Sequence, residues 1–149
     1  MGNMFSMLEI SGSAMSAERQ RAEVVAANLA NANTTRTAEG GPYKRKEVVF
    51  ASSGASPFRL AFQRISHLLS NSNPAVRVAR VVADPASPLM RYEPGHPDAN
   101  GQGYVAYPAI NPIQEMVDLM GAVRAYQLNA SAVNASKQMF QQAIDILRS

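Results

Sequence analysis

The chain has 149 residues, 46% of them apolar, with nine glycines, nine prolines and no cysteine. That length suits one domain, or a helical layer with a small appended one, and without cysteine it can build neither a disulfide framework nor a thiolate metal site. The net charge of +3 lies mostly as scattered arginines in the middle of the chain, with Lys44-Arg45-Lys46 clustered and Glu47 directly after; a nucleic-acid binder gathers charge into a patch with aromatic platforms, so no nucleic-acid partner is expected.

Residues 1–18 have neither the basic start nor the unbroken apolar core of a cleavable secretory signal. No run of about 18 apolar residues is present, so no direct membrane insertion is expected.

From Met4 to about Ala32 the apolar positions follow a heptad. Met4, Leu8, Met15, Ala22, Val25, Leu29 and Ala32 form one seam, with Ser11 and Glu18 as exceptions. Ala14, Ala17, Ala26, Ala27 and Ala30 widen the stripe with small side chains that let other helices come close. Gly12 is disfavoured by about 1 kcal/mol against alanine in a helix interior, which predicts a kink or a frayed first turn. The run Asn-Ala-Asn-Thr-Thr at 31–35 ends this helix.

In the middle the period shortens. Tyr43 to Phe50 and Val76 to Val82 read as strands, and Leu89 to Glu93 and Tyr104 to Tyr107 as two more. Asn100-Gly101 marks a turn between the last pair. Residues 51–57 and 70–75 read as linkers, between which Ser56 and Pro57 open a short helix with Phe58, Phe62, Ile65 and Leu69 on one face. The last helix begins at Pro112, with Asn111 as its N-cap and Glu115 in its first turn. Leu119, Val123, Tyr126, Ala130, Val133, Phe140, Ile144 and Leu147 continue it at alternating four and three spacing, broken by Lys137. Ile113, Met116, Met120 and Ala130 make a neighbouring row.

At 1.5 Å per residue the two helices reach about 40 and about 50 Å, too long for the core of a compact chain of this size. The predicted class is therefore α+β: long N- and C-terminal helices pairing as a coiled-coil stalk, with a small mainly-β domain inserted between them. The divisions fall at 1–35, 36–110 (with an insertion at about 51–73) and 111–149. Neither stripe can bury itself on one partner, which points to an assembly component. The expected subunit-interface residues are Leu8, Met15, Ala22, Val25, Asn28, Leu29 and Asn31 on the first helix. On the second they are Met116, Met120, Val123, Tyr126, Asn129, Val133, Phe140 and Ile144. Asn28 and Asn129, beside the seams, are expected to hydrogen-bond between helices and fix register, as a buried Asn does in coiled coils.

Chemistry-bearing patterns are scarce. His67 and His96 are the only histidines and neither has metal-ligand spacing to a carboxylate-rich cluster. No Gly-x-Ser-x-Gly elbow, His-Glu-x-x-His or phosphate-binding glycine loop occurs, and Glu93 and Asp98 are weak evidence for a hydrolytic pair. No enzyme, cofactor or metal is expected. Met1 to Ser6 fits a myristoylation pattern, and Asn33, Asn129 and Asn134 each open a glycosylation acceptor triplet. The last two triplets lie within the predicted C-terminal helix, so chance matches are the simpler reading.

Four separated motifs carry a resemblance. Ser11 to Thr34, with Ala-Asn-Leu-Ala-Asn-Ala-Asn-Thr at 27–34, resembles the N-terminal signature of bacterial flagellar rod and hook proteins. Asn111 to Asn129, with Glu115-Met116-Val117 and Arg-Ala-Tyr-Gln-Leu-Asn at 124–129, resembles its C-terminal counterpart. Gly41 to Phe50, and Tyr92 to Pro97 with Gly103-Tyr104-Val105, are similar to the proximal-rod type within that group. Residues 51–73 depart from the pattern, being longer than the connection expected there.

The resemblance implies a structural subunit of the proximal rod in the flagellar basal body, in the periplasmic space, exported by the flagellar type III apparatus without a cleaved signal peptide. It implies helical self-assembly through the terminal helices into a torque-transmitting drive shaft and export channel wall. Implied partners are other copies of itself, other rod proteins and the adaptor at the rod base. Two rivals stand beside it: another axial subunit of rod or hook type, and a periplasmic carbohydrate-binding or enzymatic domain on a coiled-coil handle.

Overall fold

The computed structural model describes residues 2–52 and 75–148. Helix α1 spans Gly2–Ala30, strands β1 Lys46–Ser52 and β2 Val76–Ala83 follow, then β3 Leu89–Tyr92 and β4 Tyr104–Tyr107, and helix α2 covers Pro112–Arg148. The helix expected from Ser56, with Phe58, Phe62, Ile65 and Leu69, lies outside the described residues.

The alanine-rich α1 stays helical through Gly12. One glycine costs less than the many alanines of high helix propensity contribute. The helix ends as expected: the amide of Thr34 bonds the Asn31 carbonyl at 3.0 Å, and the Thr34 hydroxyl bonds Asn31 Oδ1 at 3.1 Å. Asn111 caps α2, its Oδ1 accepting from the Ile113 amide at 3.1 Å, which satisfies one otherwise orphan donor.

α1 and α2 pack lengthwise on each other. The end of α1 meets the start of α2, since Asn28 bonds Glu115 and Arg21 pairs with Asp118, so the two run antiparallel. Twenty-six residues back from Asn28 is Gly2, and twenty-six forward from Glu115 is Gln141. The last turns of α2 therefore run past the start of α1, and Gln141 to Ile146 are all exposed.

The four strands make two antiparallel pairs, β1 with β2 and β3 with β4, and among the described residues no sheet joins the two pairs. β1 starts at Lys46, three residues later than expected, because the Tyr43 amide is taken by the Thr34 carbonyl at 3.0 Å. It runs on to Ser52, into the stretch read as a linker, with a register shift between Val49 and Phe50. The β1–β2 hairpin lies along α1. At one end Lys46 is held by Asn28; at the other the Val76 amide bonds the Ser13 hydroxyl at 3.1 Å. Fifteen helical residues separate Ser13 from Asn28, about 22 Å, and the eight residues of β2 span a similar length.

Little apolar material is buried. Among the described residues the buried hydrophobic ones are Ala17, Val25, Ala32, Val105, Ile110 and Ala122. On α2 the buried positions are Glu115, Ala122 and Ser136, seven or fourteen residues apart, with Asn129 half-buried between. The face that α2 turns to its own chain is thus the small and polar one, while Met116, Met120 and Val123 stay exposed. Small side chains let the helix backbones approach, and the larger apolar row is left outside.

Candidate functional site

Where the helix pair meets the first hairpin, Asn28, Tyr43, Arg45 and Glu115 form a buried to half-buried polar joint. Asn28 sits in the last turn of α1 and is fully buried. Its carboxamide pairs with the backbone of Lys46 at both ends: Nδ2 donates to the Lys46 carbonyl at 2.8 Å, and Oδ1 accepts from the Lys46 amide at 2.9 Å. That is the two-point pattern a neighbouring strand would make. Asn28 Nδ2 also donates to Glu115 Oε2 at 3.0 Å, and the Tyr43 hydroxyl donates to Asn28 Oδ1 at 3.2 Å. Every polar atom of this side chain is used, as a buried amide requires.

Glu115, 1% exposed, gives its other oxygen to Arg45, whose Nε donates to Oε1 at 2.6 Å. The same guanidinium pairs with Glu47, lies 3.9 Å from Asp84 and 4.0 Å from Asp118. One cation thus links α2 to β1 and to the residue that follows β2. Partial burial works against the Arg45 charge, but the hydrogen bonds to Glu115 and Glu47 and the charges of those carboxylates outweigh it, and its pKa lies above the ordinary value. Burial, and then the negative Glu115, hold the Tyr43 phenol protonated above its usual range, which keeps it a donor to Asn28. On its open side the joint borders a cleft of about 200 Å³, lined by Arg21, Val24, Arg45, Lys46, Glu47 and Asp118 among others.

The expected interface residues separate into three groups. Val25 and Asn28 are buried within the chain. Leu8, Met15, Ala22, Leu29, Asn31, Asn129, Val133 and Phe140 are half-buried. Met116, Met120, Val123, Tyr126 and Ile144 are exposed, Met116 and Met120 by 55% each. With Ile113 and Val117, also exposed, they give α2 an open apolar side. Asn28 does bond across helices. Asn129 does not use its amide that way: Nδ2 donates to Ala125 of its own helix at 2.9 Å. Asn31 does the same to Ala27 at 2.9 Å. Such back-bonding satisfies a helical amide without any partner.

The loop joining β3 to β4 is the second built feature. Asn100 Oδ1 accepts from the amides of Gln102 and Tyr104, each at 2.9 Å. Gly103 has φ +80°, and a Cβ there would lie 2.9 Å from the Tyr92 ring, so only glycine closes this turn. Asp98 ties the loop to the segment that follows α1, accepting from the Thr35 hydroxyl at 2.8 Å and lying 3.7 Å from Arg36. His96 is placed as a loop residue, its Nδ1 accepting from the Asp98 amide at 3.1 Å. Glu93 accepts from the Tyr107 hydroxyl at 2.9 Å. Among the described residues no group of three His, Cys, Asp or Glu side chains is placed to hold a metal ion, and no helix is long and apolar enough to cross a membrane. Sequence reasoning singled out Asn28 but took Glu115 as a first-turn acid and Arg45 as part of a basic cluster; their pairing over 70 residues of chain left no local signal.

The two helices and the strand β4 before α2 carry the matches to family models. Residues 8–36 match the family model described as flagella basal body rod protein, and residues 102–146 that of the flagellar basal body rod FlgEFG protein C-terminal region. These define a class, the axial rod proteins of the flagellar basal body. Over nearly the whole length the chain is similar to flagellar basal-body rod proteins FlgC. It is 36% identical to that of Borreliella burgdorferi, covering 97% of this chain and 98% of the relative. It is 39% identical to that of Bacillus subtilis, covering 95% and 97%, and 34% identical to that of Salmonella typhimurium, covering 96% and 97%. The chain belongs to the FlgC family of rod proteins. It is a structural subunit of the flagellar rod, not an enzyme.

Proposed function

We propose that this subunit builds the proximal rod by adding to copies of itself in helical order, the paired terminal helices (1–35 and 111–149) forming a coiled-coil stalk in the tube wall and residues 36–110 an outer layer. In this reading the wall surrounds the export channel and carries torque through packing alone, without turnover or cofactor. The neighbours are further copies, other rod proteins and the adaptor at the rod base. The place of work is the periplasmic space, reached by type III export without a cleaved signal.

One observation carries this reading: the open side of α2, where Ile113, Met116, Met120, Val123 and Tyr126 are exposed on a helix whose other side is occupied. Apolar rows of this kind on a soluble chain mark interaction surfaces. Val123→Asp tests it. The side chain is 43% exposed in the single chain, so the variant folds, but in an assembled wall it buries an unpaired charge. The expected outcome is a chain that is made and exported but does not complete rods, leaving cells non-motile. A normally swimming strain would overturn the reading.

A further inference from the structure

The joint around Asn28 does something that the open face of α2 does not. The β1–β2 hairpin rests on α1 through half-buried side chains such as Val48, Val76, Val78 and Val82. Contacts of that depth attract, but they are non-directional and leave the angle of the hairpin weakly fixed. Directional contacts between the hairpin and α1 include a single bond from the Val76 amide to the Ser13 hydroxyl at the far end and the joint at the near end. The joint reaches all three pieces. Asn28 belongs to α1, Lys46 and Glu47 to β1, and Glu115 and Asp118 to α2, with Arg45 bridging between strand and helix.

We infer that Asn28, Arg45 and Glu115 form a rigid coupling that fixes the angle of the β1–β2 hairpin on the helix pair, so that load taken by one is carried by the other. The three are positioning residues for torque transfer, and this role rests on the proposed rod function. The geometry favours stiffness over mere adhesion. The Asn28 carboxamide holds both the N–H and the C=O of one strand residue, which fixes orientation as well as distance. Glu115 divides its two oxygens between Asn28 and Arg45, so neither partner can turn without breaking a charge-assisted bond. The bonds that join Asn28, Lys46, Arg45 and Glu115 are buried or partly buried, where water does not replace a lost bond cheaply.

The chain has no cysteine, so two spin labels can be placed without background, at exposed Gln127 on α2 and exposed Arg77 on β2. In the full-length purified protein the expected result is one narrow distance distribution. Asn28→Ala and Glu115→Gln should broaden it while helix content by circular dichroism is kept. Glu115→Gln is nearly isosteric, but its amide must oppose a donor on either Asn28 or Arg45. A distribution that stays narrow in a folded variant overturns the inference. If both variants lose helix content, the cluster supports the fold and not the angle, and the inference fails as well.

In cells carrying either variant, rods should be completed but swimming should fall off steeply as medium viscosity rises. Loss of swimming with rods left incomplete would instead assign the cluster to assembly and refute the coupling. The label distances are read on the isolated chain, so they stand or fall separately from the Val123→Asp test of the rod reading.

Discussion

The two ends of the helix pair are built on different plans. Near Asn28 and Glu115 the contacts are polar, buried and shared with the hairpin. At the other end α2 outruns α1, and Ile144 and Ile146 are exposed. On α2, burial within the chain is thus given to a carboxylate and small residues, Glu115, Ala122 and Ser136, while Met116, Met120 and Val123 stay outside. In a self-contained globule the assignment runs the other way, with apolar residues inside and charges out. A subunit that completes its core only among copies can invert the rule, because hydrogen bonds fix its own geometry and apolar rows remain for its neighbours.

The sharpest way to break this contrast is Arg45→Ala. It leaves the buried Glu115 carboxylate without its cation, and about 3 kcal/mol of unfolding free energy should be lost in urea titration. A smaller loss, about 2 kcal/mol, is expected for Asn28→Ala, which leaves the Lys46 peptide groups and the Glu115 oxygen unpaired. Values near zero for both would mean that the polar end is no firmer than the apolar one.

A milder probe is alkaline pH. Burial and the Glu115 charge place the Tyr43 pKa above its ordinary 10.0 in the folded chain. The unfolded chain then releases that proton first, so the stabilisation is intact below about pH 10 and is lost as pH rises through the folded value. Tyr107 shifts in the same direction, chiefly through its hydrogen bond to Glu93. Tyr43→Phe should therefore flatten the alkaline limb of the stability curve, and an unchanged limb would remove Tyr43 from the joint's energetics.

The smallest effect belongs to the far end. Ile144→Ser should change stability by no more than about 0.5 kcal/mol. Amides of residues 141–148 should exchange hydrogen faster than those of 115–125. Equal protection at both ends would erase the distinction.

Local chemistry made much of the fold legible. The Asn111-Pro112 start of α2, the turn at Asn100-Gly101 and the strand Tyr104 to Tyr107 are where their residue types put them. The choice of face was harder to read. Hydropathy marks Val123, Tyr126 and Met120, yet the buried positions of α2 hold Glu115, Ala122 and Ser136. A stripe of small and polar residues does not stand out by apolarity, although its sevenfold spacing is present in the sequence. The joint was invisible for a different reason. Glu115 and Asn28 are 87 residues apart, and a bond across that distance leaves no periodic trace in either segment. Asn129, with the same residue type and a similar place beside an apolar row, bonds its own helix instead. Composition near a seam therefore did not separate the amide that joins elements from the one that does not.

The way Asn28 grips Lys46 also bears on what the protein avoids. A two-stranded hairpin leaves strand edges whose amides and carbonyls can recruit a foreign strand, the usual start of fibrous misassembly. Here a helix side chain occupies both hydrogen-bonding groups of the first residue of β1. An invading strand would have to displace a buried carboxamide before it could pair at that end. In the assembly proposed above, the same contact would act as a guard against the wrong polymer.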